Sequence, residues 1–247
     1  MPAREDPIFK PATSPTSTPA HSAAFIFLHG LGDSASGWDN IADQFQRAQK
    51  LPYMQWIFPN ALENHDAMQT AWFTPTSLSA FAPSRPELED EEDEAGLRDS
   101  VAYVESLIDK LASKGVPLNR IVLGGFSQGC ALSLLTSLTS EKYAGKLAGI
   151  VGLSGYLPLA GQIQHMRSQV GLPAEVGHVP MFLVRGGKDM LVPRRVWNIC
   201  LSGLKAVGVE EEAMEVHEYE RLGHTVNAEE LRDLCAWLEG VVPKLED

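Results

Sequence analysis

The sequence predicts a single α/β domain, a three-layer sandwich with a mainly parallel sheet and helices on both faces. Two observations predict this class. Short apolar runs of strand length alternate with amphipathic helical segments, which is typical of parallel sheets covered on both sides. The chain has 247 residues, 44% of them hydrophobic, which suffices for one large core. We expect a flexible leader at residues 1–22, which are rich in Pro, Ser and Thr, and one domain at 23–247.

The first half of the domain shows two strands, two helices and one long irregular segment. A wholly apolar run at 24–28 predicts a buried strand that ends in a glycine-rich turn. Apolar residues then recur at helical spacing around 38–45, and a second strand is predicted at 54–58. Residues 61–86 lack a period and contain several prolines, and an excursion of this length is uncommon unless it is functional. An amphipathic helix follows at 95–113.

The second half continues the alternation to the end of the chain. Its predicted elements are strand 120–124, helix 129–138, strands 147–153 and 181–184, helix 195–207, strand 214–219 and helix 226–238. Because strands and helices alternate without an internal repeat, one domain is the simplest interpretation.

Charge and cysteine content exclude several classes of protein. The formal net charge of −12 disfavours binding to nucleic acid and to anionic membranes through basic patches. Seven of the 32 acids lie at 87–94, called the acidic run below, where we expect a solvated loop end whose last members favour the start of the next helix. Three cysteines (Cys130, Cys200 and Cys235) without C-x-x-C spacing predict neither disulfides nor a metal site, and we expect no cofactor.

The chain carries no apolar segment of spanning length and no signal-peptide pattern. We therefore expect a soluble cytoplasmic protein, with the nucleus as a second location.

A nucleophile motif lies between a predicted strand and a predicted helix. Gly125-Phe126-Ser127-Gln128-Gly129 matches G-x-S-x-G in the context of a nucleophile elbow, where small residues allow a very tight turn. Ser127 would then project over the carboxyl edge of the sheet. The alternative is a serine that merely caps the helix.

The candidate base and acid follow later strands. Asp189 comes shortly after strand 181–184, and His224 comes shortly after strand 214–219. In a nucleophile-elbow enzyme the triad occurs in the order Ser, acid, His, each after a strand, and this order is present here. Asp233 lies within the closing helix and is the less suitable acid.

The turn after the first strand is the candidate oxyanion side. His29-Gly30-Leu31-Gly32 occupies the position of the loop that supplies one backbone N–H, and the residue after the nucleophile, Gln128, supplies the other. The same turn also satisfies G-x-G-x-x-A, from Gly30 to Ala35, which makes a dinucleotide-binding dehydrogenase the runner-up class. The acid that this fingerprint requires after the second strand is missing, because that strand ends in Phe58-Pro59-Asn60.

Five blocks in this order resemble the acyl-protein thioesterase / lysophospholipase family of α/β-hydrolases, in a fungal-looking version. They are FLHGLGD at 27–33, GGFSQG at 124–129, GLSGYLPL at 152–159, DMLVP at 189–193 and GH at 223–224, and the resemblance extends over about residues 23–243. It implies an α/β-hydrolase fold with Ser127, Asp189 and His224 as catalytic residues and the Leu31 and Gln128 amides as oxyanion donors. It also implies an acyl groove lined by Leu31, Trp72, Leu78, Tyr156 and Leu191.

The resemblance implies hydrolysis of palmitoyl thioesters on proteins, with lysophospholipids and simple esters as further substrates. The expected partners are these substrates, a transient membrane contact and a weak homodimer, without nucleic acid. The sequence departs from the family pattern in having Cys130 for glycine, Met190 for proline, Tyr156 for tryptophan and Thr74 for an acid. Cys130 is expected to be a buried inert thiol. A carboxylesterase for small esters and a catalytically silent binding module are the remaining alternatives.

Overall fold

A computed structural model describes residues 4–75 and 92–245, which form a seven-stranded sheet, a separate hairpin and flanking helices. The strands are β1 Ile8–Lys10, β2 Ala23–Leu28, β3 Met54–Phe58, β4 Leu62–Asn64, β5 Gln69–Ala71, β6 Ile121–Phe126, β7 Gly149–Leu153, β8 Met181–Gly186 and β9 Met214–Tyr219. The α-helices are α1 Asn40–Arg47, α2 Glu94–Ser113, α3 Gln128–Thr139, α4 Ile163–Gln169, α5 Arg194–Ala206 and α6 Ala228–Val241.

The strand order of the sheet is β1-β3-β2-β6-β7-β8-β9. All neighbouring strands are parallel except β1, which runs antiparallel to β3 at one edge. The predicted α/β class is therefore confirmed. Since the carboxyl ends of β2, β6, β8 and β9 lie at one edge of the sheet, the segments that follow these strands meet there.

Two apolar layers cover the sheet, because side chains of a strand alternate between its faces. Within β2, Ala24, Ile26 and Leu28 belong to the core that contains α2, α3, α4 and α5. The intervening Ala23, Phe25 and Phe27 belong to the core that contains α1 and α6. Strands such as β2 are buried on both faces, which explains why their sequences are continuous apolar runs.

The amino-terminal segment differs from the flexible leader expected at residues 1–22. Ile8–Lys10 forms β1, with Ile8 opposite Phe58 in the antiparallel pairing. The Lys10 ammonium lies 2.9 Å from an Asp39 carboxylate oxygen and 3.0 Å from Asp43 in α1, which fixes the end of the strand. Prolines and threonines follow this tripeptide, and its partner strand is nearly 50 residues away. The sequence therefore shows no local period that would predict a strand here.

Other elements were not predicted from the sequence. The excursion contains the hairpin β4–β5, in which Leu62 pairs with Ala71, and the polar stretch before β8 contains α4. None of the helices within residues 4–75 and 92–245 combines the length and apolar character needed to cross a membrane.

The end of the acidic run begins α2, while residues 87–91 lie outside the described part of the chain. Asp93 is the N-cap residue, and its carboxylate accepts a hydrogen bond of 2.9 Å from Gly96 N–H. Glu92 is half-buried and hydrogen-bonded, so the expectation of a solvated acid is wrong at this position. Its partners are distant in sequence and carry no local pattern that could have revealed them.

Candidate active site

Ser127 occupies a strained turn between β6 and α3. Its φ of 55° is unfavourable for a residue with a side chain, and its N–H donates to Leu153 O at 2.8 Å. A Cβ on Gly125 would lie 2.5 Å from Leu28 O, and one on Gly129 would meet the same carbonyl. The two glycines of the motif are therefore required by the close approach of β2, as the sequence predicts.

The structure brings Ser127, His224 and Asp189 into one hydrogen-bonded chain. His224 Nε2 lies 3.0 Å from Ser127 Oγ, and His224 Nδ1 lies 2.8 Å from Asp189 Oδ2. Because an ionised carboxylate can only accept, Nδ1 carries the proton and Nε2 is left as acceptor for the serine hydroxyl. Three residues separated by up to 97 positions thus form the geometry of a nucleophile, a base and an orienting acid.

The loops after β8 and β9 hold the acid and the base in place. Asp189 is buried, and its Oδ1 accepts from the N–H groups of Leu191 at 2.9 Å and Val192 at 2.8 Å. Lys188 N–H donates to Leu222 O at 2.8 Å, which ties the two loops together. The second carboxylate oxygen is left to face His224.

Leu31 and Gln128, the predicted oxyanion donors, lie in the two segments next to the nucleophile. Neither N–H donates to another backbone group of the described residues. The loop after β2 approaches the nucleophile closely, because a Cβ on Gly30 would lie 3.3 Å from the Ser127 Cβ. Gln128 is the first residue of α3, where helix N–H groups lack intrahelical partners and favour an anion.

His29 and Trp72 hold the loop after β2, which contains the candidate oxyanion donor Leu31. Ala61 N–H donates to His29 Nε2 at 3.0 Å, so His29 Nδ1 carries the proton and donates to Gly30 O at 2.7 Å. Burial lowers the pKa of His29, and its ring is held neutral. Trp72 Nε1 donates to His29 O at 2.8 Å, which fixes the backbone carbonyl of His29.

The predicted groove residues occupy different environments. Trp72 is buried, Leu31 and Tyr156 are half-buried, and Leu191 is exposed next to Asp189. Leu78 lies outside the described residues. Leu31, Tyr156 and Leu191 follow the carboxyl ends of β2, β7 and β8, and Trp72 bonds the loop after β2. The excursion beyond Pro75 lies outside the described residues, and the groove stays a prediction.

Cys130 is buried, in agreement with the sequence interpretation. Burial raises the pKa of its thiol well above the ordinary value, which keeps the thiol protonated. A Cβ on Gly155 would lie 2.5 Å from Cys130 Sγ, so the thiol fills the space between α3 and the segment after β7.

The Gln128 side chain clamps the first part of the excursion, a role that sequence reasoning missed. Its Oε1 accepts from Trp72 N–H at 2.9 Å and its Nε2 donates to Phe73 O at 2.8 Å. One residue thus combines a candidate oxyanion amide with a side chain that positions the neighbouring wall. A polar residue at this motif position is visible in the sequence, but its partners are not.

Arg4 is the second residue whose role sequence reasoning missed. Its guanidinium lies over the Tyr103 ring at 3.8 Å, faces the Trp72 ring at 5.5 Å, and donates to Asn60 O at 2.9 Å. Burial lowers the pKa of Arg4. Arg4 therefore attaches the amino-terminal segment to the Trp72 and Tyr103 rings, and Trp72 in turn bonds His29.

Arg4→Ala is expected to lower the free energy of unfolding by about 1 kcal/mol, because a partly desolvated cation–π contact and a hydrogen bond are lost. Urea unfolding would measure the change. Arg232→Ala, an exposed position on α6, is the matched control and should stay within about 0.5 kcal/mol of the unmodified protein. Equal effects of the two substitutions would contradict the role assigned to Arg4.

The sheet order and the site define an α/β-hydrolase. The chain matches the phospholipase/carboxylesterase family over residues 12–242. It belongs to this family and is a hydrolase enzyme.

Individual relatives agree with this assignment. Acyl-protein thioesterase 1 of Yarrowia lipolytica is 36% identical over 238 residues, which cover 93% of this chain and 96% of the relative. The protein of that name from Schizosaccharomyces pombe is 38% identical over 179 residues, 70% of this chain and 71% of the relative. Among solved structures, acyl-protein thioesterase 2 of Zea mays is similar with a TM-score of 0.75 and 26% identity, covering 96% of this chain and 98% of that one.

Proposed function

We propose that this protein is a serine hydrolase that removes long-chain acyl groups from S-acylated proteins. Lysophospholipids and simple esters are its further substrates. The observation that carries the proposal is the continuous hydrogen-bonded chain from Ser127 through His224 to Asp189 on a strained elbow. The printed names of the fungal relatives, acyl-protein thioesterase 1, supply the substrate class.

The proposed reaction proceeds through an acyl-serine. His224 Nε2 takes the hydroxyl proton as Ser127 Oγ attacks the acyl carbonyl, and Asp189 stabilises the resulting imidazolium. The tetrahedral oxyanion is stabilised by the Leu31 and Gln128 N–H groups. The proton passes from His224 to the leaving sulfur or oxygen, and the carbon–heteroatom bond breaks. Water, deprotonated by His224, then attacks the acyl-serine and releases the fatty acid and the free serine.

Thioesters suit this site because of their leaving group. A cysteine thiol has a pKa near 8.5, far below that of an alcohol, so the thiolate leaves with less help from an acid. The same residues retain esterase activity, since attack and oxyanion stabilisation are common to both substrates. A carboxylesterase limited to small esters is the second candidate, favoured by the family description.

A substrate panel separates these candidates. We expect turnover of a palmitoyl-cysteine peptide, a lysophospholipid and an acetyl ester by the unmodified protein. Turnover of the acetyl ester alone would establish the small-ester enzyme instead. Transient membrane contact, a weak homodimer and a cytoplasmic or nuclear location stay predictions.

Ser127→Ala is expected to abolish covalent labelling by a fluorophosphonate probe, because the probe phosphonylates an activated serine oxygen. Labelling would be read by gel fluorescence and intact mass. Ser133→Ala, which alters a buried serine of α3 that bonds Gly129 O, is the control and should still label. Undiminished labelling of Ser127→Ala, or no labelling of the unmodified protein, would exclude the serine-hydrolase proposal.

A further inference from the structure

Glu92 links the start of α2 to a segment that follows a different strand. Its carboxylate accepts a hydrogen bond of 2.9 Å from the Tyr156 hydroxyl and a second from Leu159 N–H. Burial raises the pKa of Glu92, against the opposing effect of the two donors. Both carboxylate oxygens are therefore engaged by residues more than 60 positions away.

The segment held by Glu92, residues 154–159, is called the tyrosine loop. Ser154 and Leu159, at its two ends, have positive φ values of 48° and 52°, which are unfavourable for residues with side chains. Strain of this kind persists only where surrounding contacts determine the conformation. Ser154 N–H donates to Val184 O at 2.8 Å at one end, and Glu92 supplies the contact at the other.

The tyrosine loop lies against the nucleophile elbow. Ser127 N–H donates to Leu153 O at 2.8 Å, immediately before the loop. A Cβ on Gly155 would lie 2.7 Å from Ser127 O, so the two backbones are in direct contact. The position of the loop therefore sets the shape of the surface next to the reacting serine.

Asp93 makes an equivalent connection to a second segment. Its Oδ2 accepts from Thr74 N–H at 2.7 Å, which fixes the segment that the Gln128 side chain also clamps. Burial acts to raise the pKa of Asp93, but the N–H donors of Thr74 and Gly96 outweigh it, and the pKa is lowered. Two adjacent carboxylates thus hold the two segments that flank Ser127.

We propose that Glu92 is a specificity-determining positioning residue, which holds Tyr156 and the tyrosine loop in the conformation that accepts a long acyl chain. This inference rests on the proposed function. The reacting carbonyl needs only the triad and the oxyanion amides, and the rest of a long chain must lie along the surface beside Ser127. Loss of the Glu92 contacts should therefore lower kcat/KM for long-chain substrates more than for short-chain ones.

The test compares palmitoyl and acetyl thioesters of one cysteine peptide, so that the leaving group is constant. Glu92→Ala removes both acceptors, and Tyr156→Phe removes one donor while keeping the ring. We expect the palmitoyl-to-acetyl ratio of kcat/KM to fall about tenfold in Glu92→Ala, corresponding to the loss of a charged hydrogen bond. The double variant should fall no further than Glu92→Ala, because both changes break the same connection.

Glu94→Ala is the matched control, since Glu94 is partly exposed and pairs with Arg98 on the same helix. Its ratio should equal that of the unmodified protein. A parallel fall for both thioesters in Glu92→Ala and Tyr156→Phe, or an unchanged ratio in both, would overturn the inference while leaving the proposed function intact. If the unmodified protein fails to hydrolyse the palmitoyl thioester, the proposed function fails and the inference with it.

Discussion

Asp189→Asn is expected to lower kcat about 10⁴-fold for ester and thioester substrates alike. The N–H groups of Leu191 and Val192 both donate to Asp189 Oδ1, so the amide oxygen of asparagine will occupy that position. The amide NH₂ then faces His224 Nδ1 and donates to it. This places the imidazole proton on Nε2, where the ring can no longer accept the proton of Ser127.

Steady-state kinetics with the substrate panel would measure this loss, and fluorophosphonate labelling should slow correspondingly. Asp233→Asn is the matched control, because Asp233 is the next aspartate after Asp189 in sequence, and it accepts from Tyr219 OH instead of a histidine. We expect its kcat within about twofold of the unmodified value. An Asp189→Asn variant that keeps a tenth of the activity would contradict the role of Asp189 as the orienting acid.

The placement of Ser127, Asp189 and His224 could be predicted because it depends on local patterns. Each residue follows an apolar run of strand length, and parallel strands deliver their carboxyl ends to one edge of the sheet. Loops that follow nearby strands of the sheet are therefore close in space, whatever their separation in sequence. The glycines of the elbow are equally predictable, since only the absence of a Cβ allows Leu28 O to approach.

The residues that support the site could not be predicted in this way. Arg4, Glu92 and the Gln128 side chain each act through contacts with backbone groups or rings far away in sequence. A carboxylate before a helix looks like an N-cap or a solvated acid, and its neighbour Asp93 is indeed the cap. Whether such a residue turns inward depends on the final position of the tyrosine loop, which no local period encodes.

The acidic run illustrates the same limit. Composition predicts a solvated, self-repelling segment, yet its described end supplies the two carboxylates that hold the segments flanking Ser127. Net charge describes the average surface, whereas the specificity inferred for this enzyme depends on single carboxylates with specific donors.

Glu230→Gln is expected to raise the free energy of unfolding at pH 7 by on the order of 3 kcal/mol. Glu230 is fully buried in the first turn of α6, and neither carboxyl oxygen has a hydrogen-bond partner among residues 4–75 and 92–245. Burial raises its pKa from 4.5 to about 8. Glutamine has nearly the same shape and carries no charge, and it leaves the Asn227 cap on the Glu230 N–H unchanged.

The sign follows from proton linkage. Between pH 4.5 and about 8 the folded protein keeps the Glu230 proton while the unfolded chain has lost it. The contribution of this group to stability is therefore fully present below pH 4.5 and is lost progressively as the pH rises toward 8. Glutamine does not titrate, so Glu230→Gln lacks this loss, and the two proteins should be equally stable near pH 4.5.

Urea unfolding at pH 4.5, 6 and 8 would measure the divergence, and thermal unfolding at pH 7 should show a rise in Tm of about 6–12 °C. Glu229→Gln is the matched control, because Glu229 is exposed in the same turn of α6. Losing its interaction with the helix dipole should cost about 0.3–1 kcal/mol at pH 7. Parallel pH dependences for the unmodified protein and Glu230→Gln would show that Glu230 is ionised in the folded state and that its carboxylate has found a partner.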